Sequence, residues 1–158
     1  MSIYYLIIIF SVFDGTEIHE AAAASAAISR SGKKVVFYAP DKTQFHEVNH
    51  VSGENDESTK RNVLIEAGRI ARGKVLPLSD LKPEDVDAVV IPGGFGAAKN
   101  LSTFATSSEP TVDENVARVL RDFVSAGKPI GLCCIAPILA AMVLAKEDGI
   151  KVIILPLS

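Results

Sequence analysis

Short apolar runs alternate with amphipathic stretches along the chain, and that alternation predicts strands and helices in turn. The first strand is expected over 4–10, inside a nearly continuous apolar run from Ile3 to Phe13 that suits a strand covered on both faces. An Ala-rich stretch over 17–31, stopped by Gly32, predicts a helix. A second strand is expected over 34–39, closed by Pro40. Residues 41–60 are polar and show no steady period, which reads as a long surface excursion. Helical spacing returns over 61–72, with Val63, Leu64, Ala67, Ile70 and Ala71 on one side and Gly73 as the stop. A short strand over 74–78 and a buried one over 87–91 follow, the latter running into Pro92-Gly93-Gly94-Phe95-Gly96. The best-defined helix carries Val112, Val116, Val119, Leu120, Phe123 and Val124 as one stripe, with Thr111 as cap, Glu114 completing a capping box and Gly127 beyond its end. A strand over 129–133, a helix over 135–146 and a last strand over 149–157 complete the pattern. Strands alternating with helices predict a doubly wound α/β fold with a mainly parallel sheet, whose right-handed crossovers gather the functional loops at the carboxyl edge.

The chain has 158 residues, enough for a single domain with its own core, and shows neither a repeat nor a linker. Sixteen Lys and Arg against nineteen Asp and Glu leave a net charge of −3, so nucleic acid and anionic membranes are not expected partners. The N-terminal apolar run is too short to span a bilayer. It also lacks the basic leader of a signal peptide and the Arg-rich, acid-poor pattern of an organelle presequence. The two cysteines, Cys133 and Cys134, are adjacent, which rules out a disulfide framework and a paired-loop zinc site.

Three loops carry candidate chemistry. In the first, a strand ends at Cys134 and turns at once into Ile135-Ala136-Pro137, the shape of a nucleophile elbow. A thiol there would feel the positive end of the helix dipole and free amide donors, both favouring thiolate. Two small cysteines packed at a strand end would give the same pattern, and the residues alone leave both readings open. Cys133, on the opposite face by period two, is expected to pack. In the second loop, residues 92–100 follow a buried strand to the same edge, and the amides of Gly93, Gly94 and Ile135 are candidates to hold an oxyanion or ligand. A tight turn that needs glycine for steric reasons is the alternative. Neither a dinucleotide fingerprint nor a phosphate loop fits, since Lys99 stands where the third glycine would be. The third loop, Asp14-Gly15-Thr16-Glu17-Ile18-His19-Glu20, places Glu17 and Glu20 on one helical face. Simple helix capping by Asp14 or Thr16 with acids in the first turn also explains it. His46 and His50 stand at i, i+4 but lack a third ligand, so a solvated loop is expected there and no metal site.

Together these loops resemble the PfpI-like superfamily of class I glutamine amidotransferase folds, and within it the ElbB-type branch of bacterial and animal mitochondrial proteins. The resemblance is carried by Asp14-Gly15-Thr16-Glu17-Ile18-His19-Glu20-Ala21, Arg61-Asn62-Val63-Leu64, Ala71-Arg72-Gly73-Lys74, the loop from Pro92 to Leu101, and Gly127-Lys128-Pro129-Ile130-Gly131-Leu132-Cys133-Cys134-Ile135-Ala136-Pro137. It runs from about Val12 to Gly149. It implies a flavodoxin-like sheet flanked by helices, with Cys134 as the elbow thiol and Glu20 as the acid that contacts it across the cleft. It also implies glyoxalase-like or deglycase-like chemistry on small 2-oxoaldehydes such as methylglyoxal and glyoxal, without a cofactor, and a tendency to form homodimers. Glu17 and His19 are secondary candidates for the site. Animal relatives imply a mitochondrial location and bacterial ones a cytoplasmic one.

The sequence departs from that branch at both ends. Ile7-Ile8-Ile9-Phe10-Ser11 replaces the usual Gly and Cys pattern, and 151–158 looks unrelated where relatives continue with further strands and helices. The expected domain is therefore incomplete after about residue 149. The glutaminase members use a Cys-His-Glu triad, whereas no histidine follows Cys134 here, so amide hydrolysis by a full triad is not expected. The rival to an enzyme is a non-catalytic, redox-responsive or binding protein of the same fold, or a chain inactive for want of the missing elements.

Overall fold

The computed structural model describes residues 4–7 and 13–145. Five parallel strands form one sheet in the order β3-β2-β1-β4-β5. These are β1 (Tyr4–Ile7), β2 (Lys34–Ala39), β3 (Val75–Pro77), β4 (Ala88–Ile91) and β5 (Ile130–Leu132). The helices are α1 (Ile18–Arg30), α2 (Val63–Ala71), α3 (Phe95–Lys99), α4 (Glu114–Ser125) and α5 (Pro137–Leu144).

The period of two along each strand divides the core into layers. On one face Tyr38, Val89 and Ile91 join Val116, Val119, Leu120 and Phe123 of α4 and Leu139, Ala140 and Val143 of α5. On the other, Val35, Phe37, Ala39 and Val90 meet Ala21 of α1 and Val63 and Ala67 of α2. The expected doubly wound, flavodoxin-like arrangement is thus present in a single domain.

The register decides where function can sit. Ile7 pairs with Phe37 and with Val90, and Ile91 pairs with Leu132, so the carboxyl ends of β1, β2, β4 and β5 share an edge. The chain departs from β1 toward one side of the sheet and from β4 toward the other. This is a topological switch point, where a crevice opens between loops in folds of this kind.

Several expectations are corrected. The 41–60 segment is not purely a surface excursion: Gln44, Glu47 and Val48 are buried in it. It is stitched down by Arg61 N–H to Glu47 Oε1 at 2.7 Å and Val48 N–H to Asp14 Oδ2 at 2.8 Å. Nor are its histidines simply solvated, since His46 Nδ1 is buried and its ring packs on Phe45. Asp113, not Thr111, caps α4, accepting from the N–H groups of Asn115 and Val116. Thr111 instead donates its N–H to Thr103 Oγ1. Residues 95–99 form a helical turn where only a loop was expected. The strand over 149–157 and the extension of β1 to residue 10 lie outside the described residues.

Among the described residues Phe123 of α4 is the largest fully buried side chain, part of the layer between that helix and the sheet. Phe123→Ala should destabilise the chain by about 3–5 kcal/mol in urea unfolding, through lost transfer energy and a cavity. A change below about 1 kcal/mol would mean that this layer is not the main core.

Candidate active site

Cys134 stands two residues past the end of β5 and takes a left-handed backbone conformation, with φ of +52°. Among the described residues the other non-glycine residue with positive φ is Arg72, which merely ends α2. A side chain in this region costs about 1–2 kcal/mol, and here neighbouring hydrogen bonds hold it. Cys133 N–H donates to Ile91 O at 3.0 Å, and Ala136 N–H closes the turn onto Cys133 O at 2.9 Å. Pro137 opens α5, where a missing N–H leaves nothing unpaired. Cys134 is consequently exposed, whereas Cys133 is half-buried. Burial first, and then the negative charges of Glu20 and Cys134, push the Cys133 thiol up from its ordinary range, so it stays protonated.

The diglycine loop lies against that sulfur. A Cβ on Gly93 would collide with Cys134 Cβ and stand 3.0 Å from its Sγ. Gly94 has φ of +94°, and a Cβ there would sit 2.5 Å from Glu17 N. The loop after β4 thus presses backbone to backbone on the loop after β1, with Gly96 N–H donating to Gly15 O at 2.6 Å. Glycine is a steric requirement of the contact, whatever else the loop does.

Glu20 reaches into the same place from the first turn of α1. Its Oε2 accepts the Gly93 N–H at 2.8 Å. No hydrogen bond joins Glu20 directly to Cys134; both abut the Gly93 peptide from different sides. This revises the expected oxyanion set, because the Gly93 amide is already committed to a carboxylate. Among the described residues nothing accepts from the N–H of Gly94 or Ile135, and these two remain the candidate donors.

Glu17 caps α1, a role the sequence had suggested for Asp14 or Thr16. Its Oε2 accepts Glu20 N–H at 2.7 Å, and its Oε1 meets His19 Nδ1 at 2.7 Å. His19 is 94% exposed and faces away from the buried layers. Asp14 is buried and holds the 41–60 segment through Val48. Asn100, which sequence motifs did not single out by role, is buried and clamps two loops: its Nδ2 donates to Asp14 O at 2.7 Å and its Oδ1 accepts from Phe45 N–H at 2.8 Å. Among the described residues no group of His, Cys, Asp and Glu could hold a metal ion, and no helix is long and apolar enough to cross a membrane.

The model of the DJ-1/PfpI family matches residues 7–151, a span that contains every group just described. The chain belongs to the DJ-1/PfpI family. Within reach of the same sequence is the human protein named glutamine amidotransferase-like class 1 domain-containing protein 3, mitochondrial, 55% identical over 134 residues. That alignment takes in 84% of this chain and 50% of the human protein. The zebrafish ES1 protein, mitochondrial, is 40% identical over 141 residues, 86% of this chain and 52% of its own. The chain therefore spans about half the length of the curated relatives it matches. Among solved structures, an isoprenoid biosynthesis protein with an amidotransferase-like domain from Ehrlichia chaffeensis superposes with a TM-score of 0.86 at 32% identity. The match covers 92% of this chain and 70% of that one. These likenesses agree with the amidotransferase-like resemblance drawn from the motifs, and its animal relatives carry mitochondrial names.

The Glu17–His19 pair sets a pH window. The hydrogen bond that His19 donates to Glu17, and next the charge of Glu17, raise the His19 imidazole above 6.5. The hydrogen bond from His19 is the largest cause lowering the Glu17 carboxyl below 4.5, against some desolvation. The raised group contributes stability below its ordinary value and loses it as pH rises through the folded one. The lowered group contributes above its ordinary value and loses it as pH falls through the folded one. The pair is therefore intact between the two folded values. NMR titration should place the His19 midpoint above 6.5 in the native chain and return it to the ordinary value in Glu17→Gln. An identical midpoint in the two proteins would contradict the pairing.

Proposed function

We propose that Cys134 is a nucleophile that adds to the aldehyde carbon of small 2-oxoaldehydes such as methylglyoxal and glyoxal. The chain's chemistry in this reading is a glyoxalase-like or deglycase-like conversion, carried out in mitochondria as the names of its relatives suggest. One observation supports it above the others: an exposed sulfur in a left-handed elbow, beside two amides with no acceptor among the described residues.

In this reading the sulfur forms a C–S bond to the aldehyde carbon, and the carbonyl π pair moves onto oxygen. The resulting oxyanion is received by the Gly94 and Ile135 N–H groups and takes up the thiol proton, giving a hemithioacetal. Glu20, anchored on Gly93, is the group to take the hydrogen from the former aldehyde carbon as a proton and return it to the neighbouring carbon. The hemithioacetal hydroxyl proton passes to the former ketone oxygen, so the first carbon rises to the thioester level as the ketone carbon falls to a carbinol. Water then cleaves the thioester, releasing a 2-hydroxy acid and restoring the thiol. Oxidation and reduction balance within the substrate, so the step calls for no external redox partner.

Cys134→Ser should lower 2-oxoaldehyde consumption by at least about 100-fold while leaving the circular dichroism spectrum unchanged. A folded variant that retains the native rate would overturn the proposal.

A further inference from the structure

Glu17 carries no chemistry in the step above, yet two of its own hydrogen bonds and a third between Gly93 and Glu20 link it to the group that does. Glu17 N–H donates to Gly93 O at 2.9 Å. Gly93 N–H donates to Glu20 Oε2 at 2.8 Å. Glu20 N–H donates to Glu17 Oε2 at 2.7 Å, which closes a ring. Both polar ends of the Gly93 residue are gripped by one turn of α1, and Gly93 is the residue pressed on Cys134.

We propose that Glu17 is a positioning residue: it holds the Glu20 carboxylate and the Gly93 peptide in register against the Cys134 elbow. Glutamate is not among the favoured residues at a helix start, where Ser, Thr, Asp and Asn cap with shorter reach. The longer side chain lets one carboxylate do two things, as Oε2 caps Glu20 N–H while Oε1 engages His19. Without that side-chain acceptor for Glu20 N–H, Glu20 loses its fixed bearing and the Gly93 amide opens to water. The inference rests on the proposed function only for its effect on turnover.

Amide hydrogen exchange tests the positioning without any substrate. In Glu17→Ala, exchange at Gly93 should quicken about tenfold, the scale of a lost cap. The Cys133 amide, held by Ile91 O on the far side of β4, should keep its native rate. Glu17→Gln retains an acceptor for Glu20 N–H and should keep Gly93 protected to within about twofold. Glycine is a tolerated helix cap, so Glu17→Gly separates side-chain positioning from helix stability. It should reproduce the Gly93 effect even where Glu17→Ala folds poorly. On 2-oxoaldehydes, Glu17→Ala should lower kcat about tenfold with KM nearly unchanged, and Glu17→Gln should restore it. Unchanged exchange at Gly93 in the alanine and glycine variants would overturn the proposal, as would an equal loss of protection at Cys133. A Gly93 response in a chain that turns over no aldehyde would uphold the positioning and count against the function instead.

Discussion

Three stretches of backbone meet around Gly93 more closely than any side chain would permit, and the rest of the site is arranged about that contact. A Cβ there would collide with Cys134, and one on the neighbouring Gly94 would collide with the turn that leads into α1. The parallel register makes the meeting possible by bringing the ends of β1, β4 and β5 to one edge. Packing then makes it permanent. The left-handed Cys134 costs about 1–2 kcal/mol, whereas burial of one leucine such as the fully covered Leu139 of α5 contributes about 1.5–3 kcal/mol. The strain at the elbow is thus affordable locally, and it points the sulfur outward from the end of the strand.

Much of this was legible in the chain itself, because the informative signals are local. Strand β2 has the expected bounds, and α1 and α2 end where Gly32 and Gly73 stand. The elbow could be read from a strand that ends in Cys134 and is followed at once by small Ala136 and Pro137. What escaped local reading depends on distant partners. Thr111 and Asp113 are both competent helix caps, and the choice is made by Thr103, which holds Thr111, and by Lys42, whose Nζ meets Asp113 at 2.8 Å. The polar 41–60 segment offers no period, yet Glu47 and Asp14 bury it through hydrogen bonds to its own backbone and neighbours. The commitment of the Gly93 amide to Glu20 joins residues far apart in the chain, and no spacing within either motif announces it.

Kinship with the DJ-1/PfpI family and the geometry of the site bear on different questions. The family match and the amidotransferase-like neighbour bear on the fold. Chemistry belongs to particular groups, since one fold serves many activities. The groups proposed for it here are an exposed sulfur, a carboxylate held by a backbone amide, and two N–H groups without acceptors among the described residues. All of them lie within residues 7–151, the span that the family model matches.

Adjacent cysteines supply an internal control for the claim that backbone geometry makes position 134 reactive. Alkylation by iodoacetamide, followed by intact mass in Cys133→Ser and Cys134→Ser, compares an exposed elbow thiol with a half-buried neighbour that its surroundings keep protonated. The thiol at 134 should react at least about tenfold faster than the one at 133 at neutral pH. Equal rates, or a faster Cys133, would contradict the assignment of Cys134 as the nucleophile.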